Sequence, residues 1–537
     1  MEEGSEIEWQ TRVADRGPDH QAETTHPLPT PSSTSSTPTS TPPTLHCMAS
    51  LLSLRAPFTP QPIHCPASSA ILLYNGQIYD GAVSSITSPE NDTAVLASLL
   101  DASLAPLLQD KESIEEMAEA VHSTLSTACL VGEWALVLFL PSINTVFFAR
   151  DPRGRRSLLM LSSPPSSPST ADAPAIPPPF VALGSVASGS PLPGFQWVPL
   201  DPHMGLITAS WDPQSTHFQC LSALPFHPTL PPPTSPSSLE EAAAMLLSTL
   251  SLAVERRVVH VANADSIGIL FSGGLDCMVV AGLAHLVLPP ETVIELINVA
   301  FAVDPNKENA FLVPDRKTGL ASAAHLMEVF APDRTWVWNA VNVPVSSVHE
   351  AQSDVQGLVI PGQTVMDFTL GSPLYFAARG ASSSVLLSGL GADEQLGGYV
   401  RHAAVYRKAE EESPGSGWAR MDAELEADLD RIWSRNLGRD DRIIASAGKE
   451  LRLPYLDEDV VAFLSSLPAS SKTDPTRDRG VGDKYLLRKV ASDLGLGSAS
   501  SLPKRAIQFG SRMAKMLTKS QGSTSLSSVQ LRLPASP

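Results

Sequence analysis

The chain has 537 residues, of which 43% are hydrophobic, and carries 37 Lys+Arg against 56 Asp+Glu for a net charge of −19. That length and apolar content suit about two to four domains of ~150 residues with real cores, and the acidic balance excludes a broad nucleic-acid-binding face, which needs Lys/Arg stripes against phosphate. The five cysteines (47, 65, 129, 220 and 277) form no CxxC pair, and no run reaches the ~18 apolar residues of a membrane span, so the chain reads as a soluble, cytoplasmic protein without a membrane or nucleic-acid partner.

The N-terminus, Met1-Glu2-Glu3, lacks the apolar core of a signal peptide. Residues 27–44 are Pro, Ser or Thr at 17 of 18 positions, a composition that cannot bury a core, and disorder is expected over 27–46. Ile71-Leu72-Leu73-Tyr74 reads as a strand that ends in Asn75-Gly76 and resumes at Gln77-Ile78-Tyr79; taken alone, Asn-Gly is a hairpin turn. Trp134–Leu140 and Thr145–Ala149 read as a hairpin-like pair, and a second Pro/Ser/Thr tract at 162–179 is expected to be disordered. A third tract, 228–237, is the expected linker. Ser238 and Glu241 then form a capping box for a helix to about Arg257.

Beyond the linker, strands at Ile267–Phe271, Val293–Phe301, Trp336–Val343 and Ser384–Leu387 alternate with helices near 278–287, 320–330 and 367–379, which predicts a parallel α/β sheet. Two turns in this half carry chemistry. Ser272-Gly273-Gly274-Leu275-Asp276-Cys277 joins an apolar strand to a helix, which aims backbone N–H groups and a helix dipole at an anion. The glycines allow close approach, Ser272 adds a hydroxyl, and Asp276 suits the Mg²⁺ that accompanies polyphosphate. No Lys follows the glycines, so this is not a P-loop; the plain alternative is an ordinary Gly turn. Ser388-Gly389-Leu390-Gly391-Ala392-Asp393-Glu394 repeats the design, and in a doubly wound sheet two such tips face one crevice. Asp276 and Asp393 together suit a nucleotide-bound Mg²⁺. Lys484 is a cation in an otherwise amphipathic helix, a setting in which most lysines are simply solvated.

The two loops, Arg452-Leu453-Pro454-Tyr455-Leu456-Asp457 and the Lys484 helix occur in an order that resembles the synthetase domain of class B asparagine synthetases over roughly 240–515. Val313-Pro314-Asp315-Arg316, Ser434–Arg442 and Pro503-Lys504-Arg505-Ala506-Ile507-Gln508-Phe509-Gly510 are most similar to the group of asparagine synthetase domain-containing proteins. The resemblance implies an ATP pyrophosphatase fold. A substrate carboxylate, aspartate in the family, would attack the α-phosphate of ATP, release pyrophosphate, and pass as acyl-adenylate to ammonia. Ser272, Gly273, Gly274 and Asp276 would hold pyrophosphate and Mg²⁺; Leu270, Ser388, Gly389 and Phe301 would line the adenosine; Lys484 would neutralise charge on the α-phosphoryl group. One departure stands out: the family's second loop has Glu where this chain has Leu390, and that Glu serves the ammonia step.

Tyr74-Asn75-Gly76-Gln77-Ile78-Tyr79 is similar to the signature of class II glutamine amidotransferases, with Gln77 in place of the usual Glu, as are Arg16-Gly17-Pro18-Asp19 and Arg150-Asp151-Pro152-Arg153-Gly154. The implied fold is the αββα sandwich of N-terminal-nucleophile hydrolases, with Asn75 and the Gly76 N–H as oxyanion hole and Arg55 and Asp92 holding glutamine. That family's nucleophile is a Cys after the initiator Met, but here residue 2 is Glu2 and the first Cys is Cys47. The expectation adopted is a first segment missing ahead of Met1; the alternative is a lost glutaminase. The domain reading is therefore 1–227 amidotransferase-like, 228–237 linker, 238–515 synthetase and 516–537 disordered tail. The functional reading is an ATP- and Mg²⁺-dependent amidoligase using aspartate and glutamine or ammonia, with another acceptor or a degenerate nucleotide-binding protein as alternatives. The sequence does not disclose an oligomeric state.

Overall fold

A computed structural model describes the chain apart from residues 1–2, 31–41, 82–90, 130, 164–175, 188–191, 228–234, 263–264, 331–333, 498–504 and 521–537. It divides into two compact units, Met1–Thr229 with Asn436–Gly448, and Leu230–Arg435 with Lys449–Pro537. The first unit thus contains a 13-residue segment that lies far downstream in sequence.

The first unit starts with helix α1 (Glu3–Ala14) and the antiparallel pair β1 (His20–Pro27) and β2 (Thr44–Leu51). Nine further strands follow: β3 (Ile63–His64), β4 (Ile71–Asp80), β5 (Val131–Leu140), β6 (Thr145–Arg150), β7 (Leu159–Ser162), β8 (Phe180–Gly184), β9 (Gln196–Pro199), β10 (Leu206–Asp212) and β11 (His217–Leu224). They form one curled antiparallel sheet in the order β3-β4-β5-β6-β10-β11-β8-β7-β9. Strand β5 shows why the sheet has two apolar faces. Its side chains alternate sides, as any strand's do. Trp134, Leu136, Leu138 and Leu140 enter one core with helices α2 (Asp92–Asp110) and α3 (Ile114–Ala128), whereas Ala135 and Phe139 enter the other with Phe148, Met160, Phe180 and Phe218. Of the four layers expected, the described residues give the curled sheet and one helical layer.

Two expectations need correction here. Asn75-Gly76 is no hairpin turn: β4 runs straight through it, with Asn75 opposite Ala135 and Gly76 opposite Trp134. Gly76 has φ +145°, and a Cβ there would overlap the Glu133 carbonyl oxygen, so the close approach of β5 requires glycine. The first tract expected to be disordered is flanked by strands that run into it, because β1 ends at Pro27 and β2 begins at Thr44; its middle, 31–41, lies outside the described residues. So do 164–175 of the second tract and 228–234 of the linker.

The second unit begins with α4 (Leu239–Val258). Ser238 caps it, accepting from Glu241 N–H at 3.1 Å, but Glu241 answers to Ser237 rather than completing a box with Ser238. Strands β12 (Ser266–Leu270), β13 (Val293–Ala302), β14 (Trp336–Pro344), β15 (Val385–Leu387) and β16 (Glu450–Arg452) form a wholly parallel sheet in the order β14-β13-β12-β15-β16. Helices α5 (Leu275–Val287) and α6 (Pro314–Val329) form two of the crossovers. Strand order reverses between β12 and β15, which are paired directly through Gly268 and Leu386, so the two serine-led loops leave neighbouring strand tips at the switch point. β16, three residues with only one apolar side chain, gives no periodic signal and was not expected. The tail begins later than expected, since Met513–Ser520 is helical and buries Met516 and Leu517; residues 521–537 lie outside the described ones. Among the described residues no helix is long and apolar enough to cross a membrane.

Candidate functional site

The two loops meet at a lysine. Lys484 Nζ lies 2.6 and 2.7 Å from the Asp276 carboxylate oxygens and 2.6 Å from Asp393 Oδ1. One carboxylate comes from the loop after β12, the other from the loop after β15. Sequence pattern places Lys484 inside a helix; the structure makes it the residue before the helix Tyr485–Asp493, in the left-handed region at φ +55°. A non-glycine residue there is strained and must be held in place. Its neighbours do so: Arg488 donates through Nε to the Asp483 carbonyl and through Nη2 to the Asp483 carboxylate, each at 2.6 Å. Gly398 lets the trio close up, because a Cβ there would overlap both Asp393 Oδ1 and Lys484 Cε.

The phosphate-type loop is braced from beneath. Gly273 has φ +79° and lies so close to α6 that a Cβ there would meet Gly319 Cα at 2.5 Å, while Ser322 Oγ donates to the Gly273 carbonyl at 2.7 Å. Gly389 approaches Asp276 so closely that a Cβ would meet Asp276 Cβ at 2.7 Å, so the second loop can lie against the first only through glycine. Tyr455 Oη donates to the Asp276 carbonyl at 3.2 Å; burial, then Asp276 and Cys277, push its phenol well above the ordinary value, so it remains a donor. Burial likewise pushes the Cys277 thiol up to about 11, which leaves it inert at neutral pH.

An open-mouthed pocket lies over this floor, lined by Ser272, Gly274, Leu275, Asp276, Asp315, Thr318, Asp483, Lys484, Arg488 and Arg505. Of the expected site residues, Ser272, Gly274, Asp276 and Lys484 line it, Gly273 supports it, and Asp393 and Gly389 touch it through Lys484 and Asp276. Leu270 ends β12, and Ser388, whose Oγ accepts from Leu390 N–H at 3.2 Å, follows β15; neither lines this pocket. Phe301 does not either. It is 1% exposed, packs edge-on against Phe376, and donates its N–H to the Ser511 carbonyl, which makes it a core residue. Asp315, Thr318, Asp483, Arg488 and Arg505 were assigned no role from sequence, although the phrases Val313–Arg316, Gly482–Arg488 and Pro503–Gly510 contain four of them.

The residues expected to bind glutamine gather in the first unit. Asn91 caps α2, accepting from Thr93 and Ala94 N–H, which sets the adjacent Asp92 at the helix start. Asp92 Oδ2 accepts from Ile78 N–H at 2.7 Å, Arg55 Nη1 donates to the Ile78 carbonyl at 2.9 Å, and Arg55 and Asp92 approach to 3.7 Å with side chains 6% and 2% exposed. Asn75 Nδ2, on the opposite side of β4 from Tyr74, is buried without a partner among the described residues. No activated thiol accompanies them. Burial, then Glu23, pushes Cys47 up to about 11, and burial raises Cys65, Cys129 and Cys220 as well.

Comparison with known proteins bears on most of the chain. The asparagine synthase family matches over residues 245–415 and 403–515. Asparagine synthetase domain-containing protein 1 of Homo sapiens is 30% identical over 87% of this chain and 88% of its own length. An asparagine synthetase domain-containing protein of Saccharomyces cerevisiae is 32% identical over 87% of this chain and 83% of its own. The asparagine synthetase domain-containing protein 1 of Gallus gallus is 42% identical over 49% of this chain, a match that spans 47% of that relative, about half its length.

Proposed function

This chain belongs to the asparagine synthase family, and on that premise we propose that its second unit is a cytoplasmic ATP-dependent carbon–nitrogen ligase that adenylates a carboxylate, aspartate by family resemblance. The observation that carries the reading is the ammonium of Lys484 held between Asp276 and Asp393 at the parallel sheet's switch point. Two carboxylates converging within one lysine's reach, beside backbone N–H groups of a glycine loop, fit a triphosphate with Mg²⁺, and the metal would supply charge neutralisation there. Asp276 and Asp393 would hold it. Ser272, Gly273 and Gly274 would cradle the phosphates, and Leu270, Ser388 and Gly389 would border the nucleoside. Lys484 would turn its ammonium to the α-phosphoryl oxygens as the carboxylate oxygen bonds to the α-phosphorus and pyrophosphate departs.

Nitrogen delivery is where this chain departs from the family pattern. Leu390 occupies the family's ammonia-step Glu position, and it can neither take a proton nor attract ammonium. Arg55 and Asp92, the glutamine-holding pair by resemblance, are bonded to Ile78 and lie beside each other. These two observations favour a second reading, in which adenylation is retained and the acceptor differs from glutamine-derived ammonia.

ATP–pyrophosphate exchange separates the two. Exchange that depends on aspartate, with asparagine formed from ammonium or glutamine, is the expected outcome. Exchange that needs a different acid, or no amide product, selects the second reading. A folded protein that binds ATP but exchanges with no acid overturns both.

A further inference from the structure

The pocket's charges pair off unevenly. Lys484 is taken by Asp276 and Asp393, and Arg488 by Asp483. Arg505 is different. It lines the same pocket, is exposed, and its guanidinium is tethered by Nη1 to a neutral group, the Thr318 hydroxyl, at 2.9 Å. Thr318 stands on the first turns of α6, the helix whose Gly319 and Ser322 support Gly273 of the phosphate-type loop. The chain around Arg505 is anchored to the same wall: Gly510 lies directly against the Asp315 carboxylate, and Ser511 accepts from Phe301 N–H at 3.1 Å. Among the described residues the guanidinium therefore has most of its donors unspent, at a pocket whose other cations, Lys484 and Arg488, already have carboxylates.

We propose that Arg505 is the cation that receives the pyrophosphate end of the nucleotide, holding the β- and γ-phosphates of ATP and the departing pyrophosphate. The proposal deepens the ligase reading and rests on it for its chemistry. As the carboxylate oxygen–phosphorus bond forms, the bond from the α-phosphorus to the bridging oxygen breaks and its electron pair passes to pyrophosphate. Lys484 serves the α-phosphoryl side of that bond. The leaving side gains the charge, and a planar guanidinium matches phosphate oxygens in paired, charge-assisted hydrogen bonds. The exposed position suits a group that must release product.

The test measures binding as well as turnover. In the full-length protein, calorimetry with Mg-pyrophosphate and separately with AMP is compared among wild type, Arg505→Gln and Arg505→Lys. Arg505→Gln is expected to weaken pyrophosphate at least about tenfold and leave AMP unchanged, with Arg505→Lys intermediate, the pattern of a lost charge-assisted phosphate contact. In exchange assays the same variant should lose about 10²-fold in rate with a raised KM for pyrophosphate. Loss of pyrophosphate binding supports the assignment whether or not any acid supports exchange, so the ligase reading can fail separately. Equal pyrophosphate affinity in Arg505→Gln and wild type, or an equal loss of AMP and pyrophosphate binding, overturns it.

Discussion

Two charge clusters, one in each unit, were legible as family signatures, and the structure treats them oppositely. In the second unit Lys484, Asp276 and Asp393 converge beside an open pocket. In the first, Arg55 and Asp92 bond to the carbonyl and N–H of Ile78 and approach each other to 3.7 Å with their side chains almost wholly buried. Similar residue types are thus set at a pocket mouth in one unit and against a strand in the other. A signature in the sequence does not tell the two settings apart; what packs around it does.

The largest effect should come from Lys484→Ala, which is expected to abolish ATP–pyrophosphate exchange, the loss of one transition-state cation being worth about 2.7–4 kcal/mol. From the sequence this truncation is expected to leave the fold intact, but the Lys484 side chain is 3% exposed, and its removal leaves two adjacent carboxylates uncompensated. Thermal unfolding should accordingly show a loss of up to about 3–5 kcal/mol. Exchange at the wild-type rate in this variant would erase the contrast between the clusters.

A stability effect of similar size with no catalytic component is expected at Asp441. It belongs to the 13-residue segment embedded in the first unit, where its carboxylate meets Arg16 Nη2 at 2.9 Å, Arg156 Nη1 at 3.3 Å and Ser157 N–H at 3.0 Å. Burial works to raise its pKa, but Arg16 and Arg156 outweigh it and hold the carboxyl below its ordinary value. The contribution is then present above the unfolded pKa of about 3.9 and lost as pH falls through the lower folded value. Asp441→Ala should cost about 3–5 kcal/mol at neutral pH, and the gap from wild type should close below about pH 4. A gap that is flat from pH 7 to pH 3 would show that the arginines do not act on this carboxylate.

The smallest effect sharpens the first unit's side of the comparison. Cys47 sits in β2 with its thiol raised to about 11, so iodoacetamide should leave it unmodified in the folded protein at pH 7. Cys47→Ala should change unfolding by only about 1 kcal/mol and leave exchange untouched. Fast alkylation of Cys47 would reopen the question of a thiol nucleophile in this unit.

Much of the second unit could be read in advance because its signals are local. An apolar strand, a glycine turn and a helix follow within about twenty residues of each other, and β12, α5, β13, α6, β14 and β15 lie close to where the pattern puts them. The first unit was harder. Its strands are short, its two faces are both apolar, and continuity through Asn75-Gly76 depends on a partner strand some sixty residues away. β16 is too short to carry a periodic signal, and nothing local in the Asp441 segment tells which unit it joins; their places come from what they pair with.

The sequence by itself determined that a phosphate-type loop follows one strand, that an analogous loop follows another, and that a lysine lies downstream, because steric and dipolar preferences of a turn act over a few residues. Only the tertiary structure decided which charges remain available. It brought Lys484 across 208 residues to Asp276, set Arg505 at the same pocket, and bonded Arg55 and Asp92 to the backbone of Ile78. Long-range pairing of charges is fixed by how the sheets and helices stack, and no short stretch of chain encodes that.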